Sequence, residues 1–409
     1  MSPVKTAPAE LTAGDAALRT QYLTEVLELL YPAPCDTAGG PGEQIAEYLV
    51  VPDARRPRLL VPNTSRKVAA AAVRRYAEPQ SRSARLKRDA VVAALRTGAS
   101  GVLLRDRVRI TGPAAESIDG HLRESLGREL SVSIHIGPAR ANRKPVLQLI
   151  SPEGETFGFG KLGTGPLTRH LVQAETAALR ALGTVGLSKL TVPTVLHDGQ
   201  WRGLQVLIQS ALPVWLPRAP LDPGRLNAAM LDVAGCYGFT SGTLVGSAYW
   251  AELRGRLAAV GDRPEGVALT SAAELLATHA GQHSLQYGAW HGDWAPWNMA
   301  NLADTLLVWD WERFTKGVPV GFDAVHYELQ RRIQSTGDAA EAVEATVRRS
   351  AELLAPFGVA ADVRELTALL YLVDLAARYL TDRQAEAGAR LGVLGTWLLP
   401  VLIRRVEEL

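Results

Sequence analysis

Asp293, Asn298 and Asp310 are the residues whose types and spacing best suit chemistry in this sequence. Carboxylate and amide oxygens are ligands that Mg²⁺ prefers, and two of them leave most of the coordination sphere to water and phosphate. Asp293 lies on a segment stiffened by Pro296, where it could take a proton from an attacking hydroxyl. The spacing favours a phosphoryl-transfer site, although such side chains can also simply cap backbone groups in a buried loop.

The residues between Asn298 and Asp310 predict a β-hairpin that would bring the two side chains together. Two mostly apolar arms, residues 299–301 and 306–309, flank a short polar connection. If the turn centres near Asp304, Asn298 lies directly opposite Asp310, and cross-strand partners have Cβ atoms about 4.5–5.5 Å apart. We therefore expect the two oxygen ligands to converge at the open end of the hairpin.

The motif His291-Gly292-Asp293 with Asn298, followed by Asp310-Trp311-Glu312, resembles the signature of the aminoglycoside phosphotransferase and choline kinase superfamily, whose members are relatives of protein kinases. The resemblance implies Asp293 as the catalytic residue, Asn298 and Asp310 as metal ligands, and ATP and Mg²⁺ as cofactors. It further implies that His291 and Asp323 brace the catalytic loop. On this basis we expect an enzyme that transfers phosphate to an alcohol group.

The fold class expected from the resemblance is α+β. Residues 130–212 would form the β-rich N-lobe of a bilobal protein-kinase-like fold, and residues 213–409 its helical C-lobe with the catalytic loop. An additional N-terminal α/β extension would occupy residues 1–129. In the C-lobe the sequence predicts helices over 223–235, 247–259, 270–283, 338–355, 361–382 and 384–409.

Lys161 and Glu175 form a candidate ion pair. The strand-like run Phe157-Gly158-Phe159-Gly160-Lys161 puts Lys161 on one face with Phe157 and Phe159, where an ammonium needs a partner. Glu175 lies on the apolar side of the helix predicted next. The pair resembles the kinase lysine that holds the α- and β-phosphates and the helix glutamate that orients it. The alternative is a surface lysine and an unrelated glutamate.

Two further nucleotide contacts are expected from position alone. The segment from Gln209 through Ala211 to Pro213 lies where the linker between the lobes should run, and its backbone would contact adenine. A hairpin around Asp198-Gly199 is expected just before it. The loop 137–145 corresponds to the nucleotide-covering loop but has only one glycine, so Arg140, Arg143 or Lys144 could hold phosphate by charge, or the loop could be a plain connection.

The N-terminal extension has an unusual charge. Residues 55–109 contain 15 Lys and Arg but only three acids, in a chain whose net charge is +2. These residues could be solvated helix faces, or a docking surface for an acidic peptide or nucleic acid. Because Tyr76 is the single aromatic residue there, an acidic peptide is favoured over single-stranded nucleic acid.

Composition excludes several classes of protein. The chain of 409 residues is 47% hydrophobic and 21% charged, typical of a globular protein with two or three domains. Cys35 and Cys236 are the two cysteines, which argues against a disulfide framework or a cysteine zinc site. The N-terminus lacks a signal-peptide core, and the apolar run 391–403 is too short to span a bilayer. We expect a cytoplasmic protein with no membrane partner.

Three functions remain open on the sequence. The overall plan resembles the kinase component of class V lanthipeptide biosynthesis, which implies phosphorylation of Ser or Thr in a precursor peptide docked on the basic extension, with a lyase or cyclase as a possible partner. The second reading is a kinase of small-molecule hydroxyls, such as those of aminoglycosides, amino alcohols or sugars. The third is a non-catalytic scaffold with a kinase-like shell.

Overall fold

The computed structural model describes residues 13–75, 82–98, 104–137, 141–280, 283–389 and 391–409. The chain divides into two compact units. The first comprises Met1–Ala139, Arg143–Val172 and Val195–Ala211. The second comprises Arg140–Asn142, Gln173–Thr194 and Leu212–Leu409.

An antiparallel sheet of eight strands forms the frame of the first unit. Its strands are β1 (Gln44–Val51), β2 (Leu59–Pro62), β3 (Arg107–Thr111), β4 (Ser131–His135), β5 (Val146–Ile150), β6 (Thr156–Gly163), β8 (Val195–Trp201) and β9 (Leu204–Ser210). Their order across the sheet is β3-β1-β2-β4-β5-β6-β9-β8. The sheet therefore runs without interruption from the N-terminal region into the predicted N-lobe.

The predicted domain boundary between residues 129 and 130 falls inside this sheet. Strand β2 pairs with β4, with Leu59 opposite His135 and Leu60 opposite Ile134. Side chains from both sides of the boundary, such as Tyr48 and Val132, share one apolar core. The extension thus adds strands to the edge of β4, which would otherwise expose unpaired backbone groups.

Helices cover both faces of the sheet. Within the described residues, the first unit contains the helices α1 (Ala13–Leu30), α2 (Arg66–Arg75), α3 (Arg82–Thr97) and α4 (Ile118–Leu126). Helix α1 buries Val26 and Leu30 in the same core as Leu162 of β6, and each fully buried aliphatic side chain contributes about 1.5–3 kcal/mol. Helix α2 packs with Ile150 on the opposite face.

The connection between β8 and β9 differs from the prediction. Asp198 and Gly199 pair within the strands, opposite Leu207 and Val206. The turn is made instead by Arg202 and Gly203, whose φ angles are 45° and 76°. Two successive positive φ angles match the right-handed twist of a hairpin, and Gly203 adopts one without steric cost.

The second unit is mostly helical. Helix α5 (Pro166–Val185) enters it at Gln173. Its other helices are α6 (Pro223–Gly235), α7 (Ala248–Ala258), α8 (Pro264–Ala280), α9 (Phe322–Thr336), α10 (Ala339–Arg348), α11 (Ser350–Leu354), α12 (Arg364–Thr381) and α13 (Leu399–Glu407). Two three-stranded sheets accompany them, ordered β10-β11-β14 and β12-β13-β7. Their strands are β7 (Leu190–Thr191), β10 (Thr240–Thr243), β11 (Ser284–Trp290), β12 (Met299–Asn301), β13 (Leu306–Val308) and β14 (Thr315–Pro319).

The predicted α+β class is confirmed, with a sheet-based first unit and a mainly helical second unit. The helix predictions differ from the structure at two places. Helix α9 was not predicted. Residues 384–409 were predicted to form one helix, but the described part of this range is α-helical only over α13. Among the residues that the structure describes, no helix combines the length and the apolar character needed to cross a membrane.

Candidate active site

The predicted hairpin exists, but its register differs by one residue from the prediction. Strands β12 and β13 pair Met299 with Val308, and the carbonyl of Asn298 accepts a hydrogen bond from the amide of Trp309 at 3.0 Å. The reason is the turn, in which the amide of Leu302 donates to the carbonyl of Thr305 at 2.9 Å. Asn298 and Asp310 are therefore not cross-strand partners.

The direction of the Asp310 side chain is set by its own backbone. Asp310 follows β13 with a φ of 74°, in the left-handed region that residues other than glycine rarely adopt. Such a conformation persists only where neighbouring groups hold it. Trp311 is fully buried, its indole Nε1 donates to the carbonyl of Val308 at 3.1 Å, and its amide donates to Oε1 of Glu175 at 3.3 Å.

His291 braces the loop from inside, as predicted. Burial lowers the pKa of His291 to about 4, against weaker opposing effects of Asp293 and of the Trp309 carbonyl, so the ring is neutral at pH 7. The amide of Asp293 donates to Nδ1 at 3.1 Å, and Nε2 lies 3.0 Å from the carbonyl of Trp309. A neutral ring satisfies both contacts if the proton is on Nε2. His291 therefore links the Asp293 segment to the strand that precedes Asp310.

Asp323 holds the backbone of the same loop. Its Oδ2 accepts from the amide of His291 at 2.7 Å and its Oδ1 accepts from the amide of Gly292 at 3.1 Å. Burial raises the pKa of Asp323 to about 7, although both backbone donors favour the ionised form. Asp323 lies in the first turn of α9, where the helix dipole also favours a negative charge. The contacts agree with the bracing role expected from the sequence.

Gly292 is required by close packing as well as by its backbone angle. Its φ is 83°, and a Cβ atom there would lie 2.4 Å from the carbonyl oxygen of Arg313. The carbonyl of Gly292 accepts from Nη1 of Arg378 at 2.6 Å. The middle residue of the motif therefore allows the loop to pass close to the chain that follows Asp310.

The carboxylate of Asp293 has a polar neighbour at each oxygen. Oδ2 accepts from Nδ2 of Asn298 at 3.0 Å, and Oδ1 lies 3.2 Å from Nε2 of His326. Burial alone would raise the pKa of Asp293, but His326 and the charge of Arg378 outweigh it and lower the pKa, while the nearby Asp310 opposes them. The side chain is still 34% exposed. Asp293 is therefore an ionised, oriented hydrogen-bond acceptor that a substrate hydroxyl can reach.

Three carboxylates form a candidate metal centre in the second unit. Each of Glu175, Asp310 and Glu312 offers an oxygen, and these oxygens lie within 4.8 Å of one another. Glu175 and Glu312 are buried. Carboxylates this close repel each other unless positive charge is near, and hard oxygen donors suit Mg²⁺. Since Nδ2 of Asn298 donates to Asp293, its Oδ1 is the atom that could coordinate.

The structure thus brings together Asp293, Asn298, Asp310 and Glu175, all within the second unit. Asp310 is also close enough to Asp293 to affect its pKa. Glu175 was predicted to pair with Lys161, which belongs to the first unit, and that pairing stays a prediction. Glu312 was part of the quoted motif without an assigned role.

The predicted nucleotide residues of the first unit lie on β6 and β9. Lys161 is buried, and it pairs with Leu207 while Phe159 pairs with Gln209, so Lys161 and Gln209 are on the same face of the sheet. The amide of Ala211 donates to the carbonyl of Phe157 at 2.9 Å and is therefore not available to adenine. The prediction that Phe157 shares the face of Lys161 was wrong, since a register shift beside β5 turns Phe157 toward the core of α1.

The structure does not support Arg143 as a phosphate ligand. Its guanidinium lies 3.7 Å from the ring centroid of Tyr22 in α1. Helix α1 covers the face of the sheet that contains Leu162, and Lys161, the preceding residue in β6, points to the other face. A cation–π contact thus holds Arg143 on the α1 side. Arg140 lies outside the described residues.

Sequence reasoning missed His326, Tyr371 and Arg378 because they lie outside the motif. One signal was available for His326. Phe322, Val325, Leu329 and Ile333 recur every three or four residues, which predicts a helix after Gly321. That helix places His326 one turn beyond Asp323, on the same face. No comparable signal marks Tyr371 or Arg378 within the strongly apolar α12.

Comparison with known proteins was made at three levels. No family model matches the chain, and no curated protein matches it in sequence. Among solved structures, it is similar to a thermostable mutant of the aminoglycoside phosphotransferase APH(4)-Ia, with 15% identity over 70% of this chain and 99% of the other and a TM-score of 0.45. It is also similar to choline kinase LicA from Streptococcus pneumoniae, with 14% identity over 64% of this chain and 90% of the other and a TM-score of 0.40.

A putative fructosamine-3-kinase from Thermobifida fusca is a third similar structure, with 17% identity, coverage of 72% of this chain and 99% of the other, and a TM-score of 0.38. Because every TM-score is below 0.5, we take no residue role or substrate from these similarities.

Proposed function

We propose that this protein is an ATP- and Mg²⁺-dependent phosphotransferase that moves the γ-phosphoryl group of ATP to a hydroxyl. The observation that carries the proposal is the state of Asp293. It is ionised and accessible, and it lies close to Asp310 of the three-carboxylate cluster. Its Oδ2 accepts a hydrogen bond from Asn298, and its Oδ1 lies 3.2 Å from Nε2 of His326. Phosphoryl transfer needs positioning and charge neutralisation more than covalent help from the protein, and this arrangement supplies the first of these.

The proposed reaction is an in-line displacement. The acceptor hydroxyl donates a hydrogen bond to the carboxylate of Asp293, which orients the oxygen toward the γ-phosphorus. As the new oxygen–phosphorus bond forms, the bond from the γ-phosphorus to the bridging oxygen breaks and ADP leaves with that electron pair. The hydroxyl proton passes to Asp293, which later releases it to water. A lowered pKa makes Asp293 a good orienting group and a weak base, which suits a loose transition state.

The metal ligands would be Asp310 and Asn298, with Glu175 and Glu312 close by. Mg²⁺ bound there would neutralise phosphate charge. Lys161, on the first unit, is proposed to contact the α- and β-phosphates, with Glu175 orienting it. The backbone around Gln209 and Ala211 is proposed to contact adenine. Because the amide of Ala211 already donates to the carbonyl of Phe157, the carbonyl of Ala211 would make the contact at this residue.

For the acceptor we infer a Ser or Thr hydroxyl of a ribosomal precursor peptide. The support is a set of exposed basic side chains in the first unit, none of which forms an ion pair with a described acid. We call this set the basic surface, and it comprises Arg55, Arg58, Arg66, Lys67, Arg74, Lys87, Arg96 and Arg105. Unneutralised charge of one sign attracts a partner of the opposite sign. A peptide with an acidic segment fits this surface.

The second unit is less suited to binding a polycationic acceptor. An enzyme for such a molecule needs carboxylates that are free to bind ammonium groups. Asp374, Asp382 and Glu386, on and after α12, are already engaged in ion pairs with Arg256, Arg313 and Arg263 respectively. Small neutral alcohols and sugars remain the alternative acceptor class.

The acceptor can be identified with ATP labelled at the γ-phosphate. The protein and Mg²⁺ are incubated in one arm with the Ser- and Thr-containing precursor peptide encoded nearest to its gene, and in the other with a panel of amino alcohols, sugars and aminoglycosides. Label on peptide hydroxyls supports the peptide kinase, and a separate lyase or cyclase would then be the expected partner. Label on a small molecule alone rejects the peptide, and no ATP consumption in either arm favours the scaffold reading.

A further inference from the structure

His326 contacts the proposed catalytic carboxylate from outside the sequence motif. It lies in α9 and is fully buried, and its Nε2 is 3.2 Å from Oδ1 of Asp293. Asp323 lies three residues earlier, in the first turn of the same helix, and holds the backbone amides of His291 and Gly292. One helical turn thus contacts three consecutive residues of the loop, two through their backbone and the third through its side chain.

The tautomer of His326 follows from its second contact. Nδ1 lies 2.7 Å from the hydroxyl of Tyr371, which is also fully buried. Burial raises the pKa of Tyr371 far above its ordinary value, so its hydroxyl keeps its proton and can donate. Burial also lowers the pKa of His326, despite the opposing effect of Asp293, so the ring is neutral at pH 7. If Tyr371 donates to Nδ1, the single ring proton is on Nε2, the nitrogen that lies 3.2 Å from Oδ1 of Asp293.

The hydrogen bond from Tyr371 thus leaves the remaining ring N–H of His326 beside Oδ1 of Asp293, at 3.2 Å but without the geometry of a hydrogen bond. Oδ2 is bonded to Asn298, so each oxygen of the carboxylate has a close polar neighbour. The lone pairs that remain are those that an acceptor hydroxyl can use. The other charged groups close to this carboxylate are Arg378 and Asp310, and Asp323 lies under the same loop.

We propose that His326, oriented by Tyr371, is a positioning residue that fixes the carboxylate of Asp293 for its acceptor. The proposal rests on the proposed function. A group acting in this way should affect turnover more than nucleotide binding, because displacement of a reacting group by about 1 Å can cost roughly 100-fold in rate.

Kinetics of three variants test the proposal. His326→Leu should lower kcat by about 100-fold with the KM for ATP unchanged within about twofold. His326→Gln, whose amide can donate in place of Nε2, should recover at least about tenfold of the loss. Tyr371→Phe should give a smaller loss of about three- to tenfold, since the ring keeps its place but not its fixed tautomer.

Tyr249→Phe is the matched control for Tyr371→Phe. Both tyrosines are buried and both rings pack edge-on against Phe322, at 5.8 and 5.7 Å between centroids. The hydroxyl of Tyr249 has no hydrogen-bond partner among the described residues, and it makes no contact with His326. Tyr249→Phe should therefore leave kcat and its pH profile unchanged.

Nitrogen-15 NMR of the histidine rings gives a readout that needs neither activity nor a variant. The proposal requires a neutral His326 at pH 7 with a protonated Nε2 and an unprotonated Nδ1. The opposite tautomer or a charged ring overturns it. A folded His326→Leu variant with wild-type kcat also overturns it. If the wild-type protein shows the required tautomer but transfers no phosphate to any acceptor, the proposed function fails while the arrangement of Tyr371, His326 and Asp293 stands.

Discussion

The loop of residues 291–298, which contains the proposed catalytic residue, and the basic surface differ in almost every physical respect. The loop is largely buried, and the side chains of His291, Asp293 and Asn298 each have partners at 3.0 to 3.2 Å. The basic surface consists of exposed cations that form no ion pair with a described acid. Groups that are desolvated and fixed can direct a reaction, whereas exposed charges act at longer range and with little geometric demand.

This difference sets the size of effect to expect from mutation. Removing one partner from a buried hydrogen bond leaves the other unsatisfied and costs about 1–3 kcal/mol. An exposed charge contributes less, and its contribution falls as salt increases. Changes in the loop should therefore act on rate and stability, and changes on the basic surface should act on affinity in a salt-dependent way.

Asp310→Asn should have the largest effect among the variants that test this difference. Loss of one negative ligand weakens Mg²⁺ binding, and transition-state charge stabilisation by a metal amounts to several kcal/mol, so turnover should fall by roughly 1,000-fold. A Mg²⁺ titration of initial rates measures it. Asp304→Asn, in the exposed turn of the same hairpin, is the control and should leave the Mg²⁺ dependence unchanged. Equal titration curves for all three proteins would exclude Asp310 as a ligand.

Asp323→Ala should destabilise the protein by about 2–5 kcal/mol, because the buried amides of His291 and Gly292 lose their acceptor. Urea unfolding at pH 7 measures the free energy. Asp338→Ala removes a carboxylate that caps α10 by accepting from the amide of Glu341, and should cost only about 0.5–2 kcal/mol. If the two variants lost the same stability, the bracing role of Asp323 would have no support.

His291 should make the free energy of unfolding depend on pH in the acidic range. Its pKa is about 4 in the folded protein, below the ordinary value of about 6.5, so the unfolded chain binds more protons between these values. The contribution of the neutral ring to the free energy of unfolding is complete above pH 6.5 and is lost as the pH falls to 4. We expect the stability difference between wild type and His291→Gln to shrink by about 3 kcal/mol over this range.

Unfolding free energies at several pH values measure this effect. The difference between wild type and variant cancels most of the opposing contribution of Asp323. His279→Gln, at an exposed position, controls for the loss of a histidine. A difference that stayed constant from pH 7 to pH 4 would mean that the ring of His291 is not held neutral.

Charge reversal on the basic surface should have the smallest effect. Arg66→Glu, Lys67→Glu and Arg74→Glu together should weaken binding of a labelled precursor peptide by about tenfold at low salt, and the loss should nearly disappear at 1 M salt, where the Debye length is about 3 Å. The control variant reverses the charge of three exposed residues of the second unit and changes the net charge by the same amount; these are Lys189, Arg348 and Arg383. If both triple variants weakened binding equally, only total charge would matter.

The sequence predicted the loop better than its surroundings because the loop's chemistry depends on residues that are adjacent in the chain. Asp293, Asn298 and Asp310 were found by type and spacing, and Asp323 by its motif. The hairpin register was wrong by one residue because the turn position was inferred from composition, whereas a single backbone hydrogen bond between Leu302 and Thr305 determines it.

Residues that act through tertiary contacts had no comparable signal. Arg378 reaches the loop from α12, about 80 residues downstream, and Tyr371 of the same helix contacts His326, so both roles depend on packing. The N-terminal strands looked like a separate extension because a strand pattern does not specify its partner. Pairing of β2 with β4 made them part of the main sheet.

The central claim is that Asp293 supports transfer of phosphate from ATP. The most direct test measures Mg²⁺-dependent transfer of labelled γ-phosphate and equilibrium ATP binding side by side for wild type and Asp293→Asn. We predict that the variant binds ATP within about twofold of wild type while transfer falls by about 1,000-fold, within the range for loss of a general base. A variant that transfers phosphate at the wild-type rate would contradict the assignment of Asp293.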